Sequence, residues 1–370
     1  MGADRVNLGK PMQRLNRVSA AKRCHSAIRG VEACVCGLLL FLVWQQSAMA
    51  QANVQGQWTT LTAQMPINPI HLAMMHNGKV LVVTGSGNLP NNPNFMAGVW
   101  DPVAGTLTTQ PVTWDMFCNG MVVLPDGRPF VISGTILYGP TFTGDPRTSA
   151  YDPATGNFVD LQSMAHGRWY PTATTLSDGR IMVFSGLDEN GNTNTTVEIY
   201  TVGVGWSQQY QAGWTPPLYP RMHLLPNGKV FYSGWTPNSA LFDPSTNQWQ
   251  TNFANTNYAG MRTYGSSVLL PLTPANNYKP VVIIMGGGNP ATNTTERIDL
   301  SVKTPQWVYG PPMSQARIEM DAVMLPNGKV LTVDAYVFSY DANGTNSEIY
   351  DPVGGTWSSA GSTISASWCK

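Results

Sequence analysis

Five times along the chain, two short apolar strands flank a tight turn: HNGKVLVVTGS, LPDGRPFVISG, LSDGRIMVFSG, LPNGKVFYSG and LPNGKVLTVDA. The turn glycines are Gly78, Gly127, Gly179, Gly228 and Gly328, separated by 49, 52, 49 and 100 residues. The doubled interval implies a further copy, and YKPVVIIMGGG (Tyr278 to Gly288) supplies its second strand behind a longer, Pro-containing loop. Asn-Gly and Asp-Gly between apolar runs signal hairpins, on the expectation that both turn positions take positive φ. A second phrase lies between the hairpins: Trp100-Asp101-Pro102, Tyr151-Asp152-Pro153, Phe242-Asp243-Pro244 and Tyr350-Asp351-Pro352. Each is followed by small residues and then an aromatic or apolar position such as Phe158, Trp249 or Trp357. Asp and Pro help start a turn there, which adds a third and a fourth strand to each repeat.

Four short strands at a period near fifty predict an all-β chain, a kelch-type β-propeller of four-stranded blades. One blade cannot bury both apolar faces alone, so blades stack in a ring. Inner hairpins are expected at 71–86, 118–134, 170–186, 219–234, 264–288 and 318–335, six of an expected seven. Gln57 to Leu61 (QWTTL) reads as a lone outer strand that completes the last blade, and that blade is expected to be incomplete. With 36 Gly, 28 Pro and 11% charged residues, the composition suits many turns and excludes a coiled coil or a disordered tail.

The net charge of zero averages two unlike segments. Seven of the 21 basic residues but only two of the 21 acidic ones fall within the first 50 residues, so the remainder is mildly acidic. A body without a basic stripe makes nucleic acid an unexpected partner. Val35 to Trp44 is an uncharged apolar run, preceded by basic residues and followed by Ala48-Met49-Ala50. That order reads as a signal peptide over 1–50, and residues 51–370 as the propeller of a secreted or periplasmic protein, a monomer with no membrane attachment after cleavage. Cleavage leaves Cys118 and Cys369, too few for a disulfide scaffold. Asn194, Asn293 and Asn343 begin N-x-T sequons, which suggest surface loops.

Counting back nine residues from the turn glycines reaches Cys118, Tyr170, Tyr219 and Glu319. These positions open the innermost strands at one mouth of the channel, where loops from all blades converge. A thiol and a phenol at equal depth on adjacent blades would touch. Taken singly, Cys118 also reads as a small buried hydrophobe, Tyr170 as an amphipathic core residue, and Glu319 as a partner of Arg317 or of backbone amides. Tyr219 and Glu319 are candidate substrate contacts at the mouth. Of the histidines, His76 lies in a turn, His166 on a connection, and His71 and His223 inside innermost strands, where a hydrogen-bonded structural role competes with a ligand role.

Trp114-Asp115-Met116-Phe117-Cys118 and Arg168-Trp169-Tyr170-Pro171-Thr172-Ala173, with the WDP and LPNGKV phrases, resemble the galactose oxidase and glyoxal oxidase family of copper radical oxidases. LYPRMHLLPNGKVFYSG and MSQARIEMDAVMLPNGKVL are most similar to its bacterial glyoxal-oxidase-like branch. The resemblance implies that a thioether joins Cys118 to Tyr170 and that Tyr170 is both a copper ligand and the radical site. It implies oxidation of a small alcohol, aldehyde or carbohydrate while dioxygen becomes hydrogen peroxide. The family's Tyr-His copper ligands align with Cys369-Lys370, and its C-terminal β-sandwich, which carries the second copper histidine, has no counterpart before Lys370. Its stacking tryptophan aligns with Asp188. On this alignment the chain is expected to be C-terminally truncated and inactive as written. The alternative is a non-catalytic propeller that binds carbohydrate or protein.

Overall fold

A computed structural model describes residues 57–62, 64–336 and 346–362. The leader, Asn343 and Cys369-Lys370 lie outside the described residues. From Trp58 onward the chain forms one compact unit of antiparallel sheets. The only helical element among the described residues is a short 3-10 turn, Pro274–Asn276, in the loop that replaces the turn glycine of the fifth hairpin.

Six meander sheets follow one another in chain order, each running from the channel outward. Their innermost strands are His71–Met74, Gly120–Val123, Thr172–Thr175, Met222–Leu224, Ser266–Leu269 and Ile318–Met324. The six expected inner hairpins are therefore all present. In blade 3 the outer strand is split into Gly205–Trp206 and Tyr210–Gln211, both paired with Thr196–Thr201. Blade 2 carries an added ribbon, Thr135–Leu137 against Thr143–Gly144, on the mouth side.

The hairpin turns differ from the expected geometry. Only the glycine is left-handed, as in Gly127 (φ 87°), while the preceding Asp or Asn is not. In blade 2 the Leu124 amide donates to Arg128 O (2.9 Å) and the Gly127 amide to Leu124 O (2.9 Å). This is a three-residue loop, a type I turn closed by a left-handed glycine. The Asp or Asn is used differently: Asn77, Asp126, Asp178, Asn227 and Asn327 each accept the amide two residues on at 3.1 Å. The WDP aspartates act similarly on the outer turns. Asp101 Oδ1 accepts the amides of Val103 and Ala104, both at 3.0 Å, and Asp101 pairs with Lys79 (3.1 Å).

Among the described residues each pair of consecutive blades closes over an apolar cluster, five such seams, and a sixth cluster lies at the mouth around Phe117, Cys118 and Trp169. Phe130, Phe184, Phe231 and Phe242 have no exposed surface. By contrast, Leu72 and Met74 on the first innermost strand are 60% and 71% exposed, and Val323 on the sixth is 53% exposed. Gln57 to Leu61 is not a strand. Instead, the Trp58 indole donates to Ala360 O (2.9 Å), so a side chain rather than a backbone ladder links the start of the described chain to the last outer strand. The sequon at Asn194 is not a surface loop either: Asn194 is buried, and its Oδ1 accepts from the Thr196 amide and hydroxyl.

Candidate functional site

The mouth is built by a conformational repeat. Cys118, Tyr170, Tyr219, Tyr264 and Glu319 have φ of 63°, 66°, 45°, 51° and 53°, one residue at the same place in each of blades 2 to 6. Non-glycine residues seldom enter this region, and those that do concentrate at functional sites. Cys118, Tyr170 and Tyr219 come just before their strands, not on them as expected. Turned this way, the Tyr170 amide donates to Cys118 O (3.1 Å), the Tyr219 amide to Tyr170 O (2.9 Å) and the Glu319 amide to Tyr264 O (2.8 Å). The blades are thus stitched to one another by backbone hydrogen bonds at the mouth.

Buried ion pairs hold three of these hinges. Two residues before Tyr170, Tyr264 and Glu319 stand Arg168, Arg262 and Arg317, paired with Glu198 (2.8 Å), Glu296 (2.9 Å) and Glu348 (2.7 Å) on the third strands. The same carboxylates accept amides of the incoming connections, from Ala165 (2.9 Å), Asn257 (2.6 Å) and Ser314 (3.0 Å). Arg317 is therefore committed to Glu348. Gly186 lets the Arg168 segment pass close by, since a Cβ there would come within 2.8 Å of the Arg168 backbone at a φ of 97°. In blade 2, Asp115 does the pinning: Oδ1 accepts the Ser86 amide (2.7 Å) and the Phe117 amide (3.0 Å), and Oδ2 accepts the Tyr138 hydroxyl (2.8 Å).

Cys118 is 3% exposed and shares a cluster with Phe117 and Trp169, against which Tyr170 packs. Tyr170 lies between two rings. Its centroid is 3.7 Å from Trp169 at 11° and 4.4 Å from Tyr219 at 23°, and Trp169 stacks in turn on Phe142 (4.3 Å). Tyr219 is held by a hydrogen bond from its hydroxyl to Asn119 O (3.2 Å). Tyr170 itself is only half-buried, so stacking fixes the plane of its ring without sealing it from water. Glu319 is half-buried, and desolvation raises its carboxyl above the usual range.

Sequence reasoning missed Tyr264, Trp169 as a stacking partner, and the Arg–Glu clamps. The clamps did leave a signal, because Arg precedes the mouth residue by two in RWY, RTY and RIE, and Glu recurs in VEIY, TERI and SEIY. Asp188, aligned with the family's stacking tryptophan, caps a turn by accepting the amides of Asn190 (2.8 Å) and Asn192 (2.9 Å).

Two of the histidines have polar partners and one does not: His166 Nδ1 contacts Glu189 (2.7 Å) and His223 Nε2 contacts Ser267 Oγ, whereas His71 Nε2 is buried with no hydrogen-bond partner among the described residues. Burial lowers both His71 and His223 to about 4, so they are neutral at pH 7. Among the described residues no group of three or more His, Cys, Asp or Glu is placed to hold a metal. The mouth offers phenol, carboxyl and thiol groups, short of the imidazoles that a tetragonal N,O copper site takes.

A sequence profile described as "Glyoxal oxidase N-terminus" matches residues 96–348, more than half of the chain. The chain belongs to the glyoxal oxidase N-terminal family. It is 24% identical to "Aldehyde oxidase GLOX" of Vitis pseudoreticulata, with 79% of this chain and 62% of the relative covered. It is 27% identical to a "WSC domain-containing protein" of Arthroderma benhamiae (84% and 37% covered) and 27% identical to "Galactose oxidase" of Gibberella zeae (52% and 26%). The chain thus spans less than two thirds of the length of these relatives. A solved fungal alcohol oxidase in complex with copper shares the fold at 19% identity, with a TM-score of 0.69 over 84% of this chain and 68% of that one.

Proposed function

We propose that the chain is an oxidase of small alcohols, aldehydes or carbohydrates in which Cys118 and Tyr170, joined by a thioether, are the protein-derived half of a copper radical centre. The substrate gives up two electrons and two protons, and dioxygen takes both pairs to become hydrogen peroxide. The observation that carries this reading is the juxtaposition of Cys118 and Tyr170, two left-handed residues on neighbouring blades linked by a backbone hydrogen bond, with the half-buried Tyr170 packed against the buried cluster that holds Cys118. Family membership supports it, as do relatives named as oxidases of aldehydes and galactose. In this reading Trp169 and Tyr219 hold the Tyr170 ring, while Glu319 and Tyr219 meet substrate at the mouth.

The proposal extends to a secreted or periplasmic protein of the bacterial glyoxal-oxidase-like branch, with residues 1–50 as leader and 51–370 as one propeller. It also holds that turnover is inefficient without imidazole donors beyond those described. The test is peroxide release after copper loading, across primary alcohols, aldehydes and aldoses. The expected result is slow, copper-dependent peroxide formation that free imidazole accelerates and Tyr170→Phe abolishes. Copper-dependent release that survives Tyr170→Phe, or none under any of these conditions, overturns the reading.

A further inference from the structure

In three blades the second strand runs into Ser-Gly, as VISG, VFSG and FYSG. Ser133, Ser185 and Ser233 have no exposed surface, and the first two take φ of 66° and 68°. A hydroxyl shut away from water needs partners, and each of these finds one across the seam with the next blade. Ser133 Oγ accepts the Arg168 amide (3.0 Å), Ser185 Oγ donates to Pro217 O (2.5 Å), and Ser233 Oγ meets Ser267 Oγ (2.9 Å). Arg168 stands two residues before Tyr170, and Pro217 two before Tyr219. The same device therefore grips two neighbouring mouth hinges.

At Ser133 it lies beside the cysteine. Ser133 follows Ile132, whose partner on the innermost strand is Gly120, two residues past Cys118. The Ser133 hydroxyl proton goes to Asp145 O (2.6 Å), which leaves a lone pair on Oγ for the Arg168 amide. Thr135, 3% exposed, holds the other half of the pair: its hydroxyl donates to Phe117 O and its amide to Asp115 O, both at 2.9 Å. Phe117 immediately precedes Cys118. Ser133-Gly134-Thr135 thus grips the segment before the thiol with one residue and the segment before the phenol with another.

We propose that Ser133 and Thr135 are positioning residues that hold Cys118 and Tyr170 in register for the bond between them. The bond they serve rests on the oxidase reading; the register belongs to the copper-free fold and is measured without turnover. Two reacting groups fixed by hydrogen-bonded neighbours meet without a search, and small displacements of such supports are costly. The Ser185 tie is a built-in comparison, with the same residue type, burial and backbone conformation one seam away.

The experiment replaces the phenol by a second thiol, Tyr170→Cys, in the full chain. The Tyr170 amide already donates to Cys118 O (3.1 Å), which brings the two residues close enough for a disulfide. In glutathione buffer two thiols and one oxidised glutathione give one disulfide and two reduced glutathiones, and peptide mapping quantifies the bond to Cys118. Tyr170→Cys alone should form it readily. Adding Ser133→Gly, which keeps the left-handed backbone and removes only the hydroxyl side chain, should lower the equilibrium constant tenfold or more. Thr135→Val should do the same and carries the test if Ser133→Gly does not fold. Ser185→Gly should stay within twofold, although urea melts should show it to lose as much stability as Ser133→Gly. No disulfide in Tyr170→Cys alone, an equal loss from Ser185→Gly, or indifference to the folded Ser133 and Thr135 variants overturns the proposal. The assay contains no copper, so its outcome is independent of whether peroxide release is found.

Discussion

Holding Cys118, Tyr170, Tyr219, Tyr264 and Glu319 in the left-handed region costs on the order of 1–3 kcal/mol each. Tyr264 is 53% exposed, so little packing repays that cost. Tyr264→Asn, which suits the conformation better, should raise stability by about 1 kcal/mol in urea melts. A second residue-scale prediction concerns pH. His71 and His223 sit near 4 in the folded chain against 6.5 when unfolded, so the unfolded state binds more protons between these values. Stability is therefore full above pH 6.5 and falls as pH drops toward 4, by on the order of 2 kcal/mol per histidine. Asp243, lowered to about 2, adds a further loss only as pH falls from about 4 to 2. Thermal melting from pH 8 to pH 2 should show both phases, and His223→Gln should flatten the first. Four of the five mouth residues were legible because each lies nine residues before a turn glycine. Tyr264 was not, because the Pro274–Asn276 turn replaces that glycine, and a left-handed tyrosine leaves no mark of its own in sequence.

Between residue and fold, the working unit is the clamp of an incoming connection, an arginine and a third-strand glutamate. Arg168 and Glu198 are both fully buried, so removing one partner strands a charge in a dry interior. Glu198→Ala should cost about 3–5 kcal/mol. The exposed Lys79–Asp101 pair repeats just as regularly, yet Lys79→Ala should cost less than about 1 kcal/mol. Denaturant melting of the two variants side by side checks the ordering, and equal losses would contradict it. The hairpins themselves were readable from their Asn-Gly and Asp-Gly turns. The turn type was not, because one left-handed glycine and two left-handed residues place the same letters between the same strands. QWTTL likewise alternates like a strand, but no ladder forms, and Trp58 is held through its indole.

For the whole molecule, five apolar seams join six blades, and the period near fifty residues made that architecture visible before any coordinates. What periodicity could not supply is which surfaces stay uncovered. Leu72, Met74 and Val323 stand exposed on the first and last innermost strands, a sticky surface for a chain in water. Leu72→Thr with Met74→Lys should raise the soluble fraction and reduce light scattering on concentration, and unchanged scattering would count against this. The account as a whole turns on Cys118 meeting Tyr170. The most direct test is intact mass and peptide mapping of the purified chain after exposure to Cu(II) and dioxygen. Forming the C–S bond removes the thiol hydrogen and one ring hydrogen, and dioxygen takes both with their electrons as hydrogen peroxide. The account predicts a chain two hydrogens lighter, with the Cys118 and Tyr170 peptides joined, and no such product from Cys118→Ala. A chain of full mass that yields the two peptides separately would contradict it.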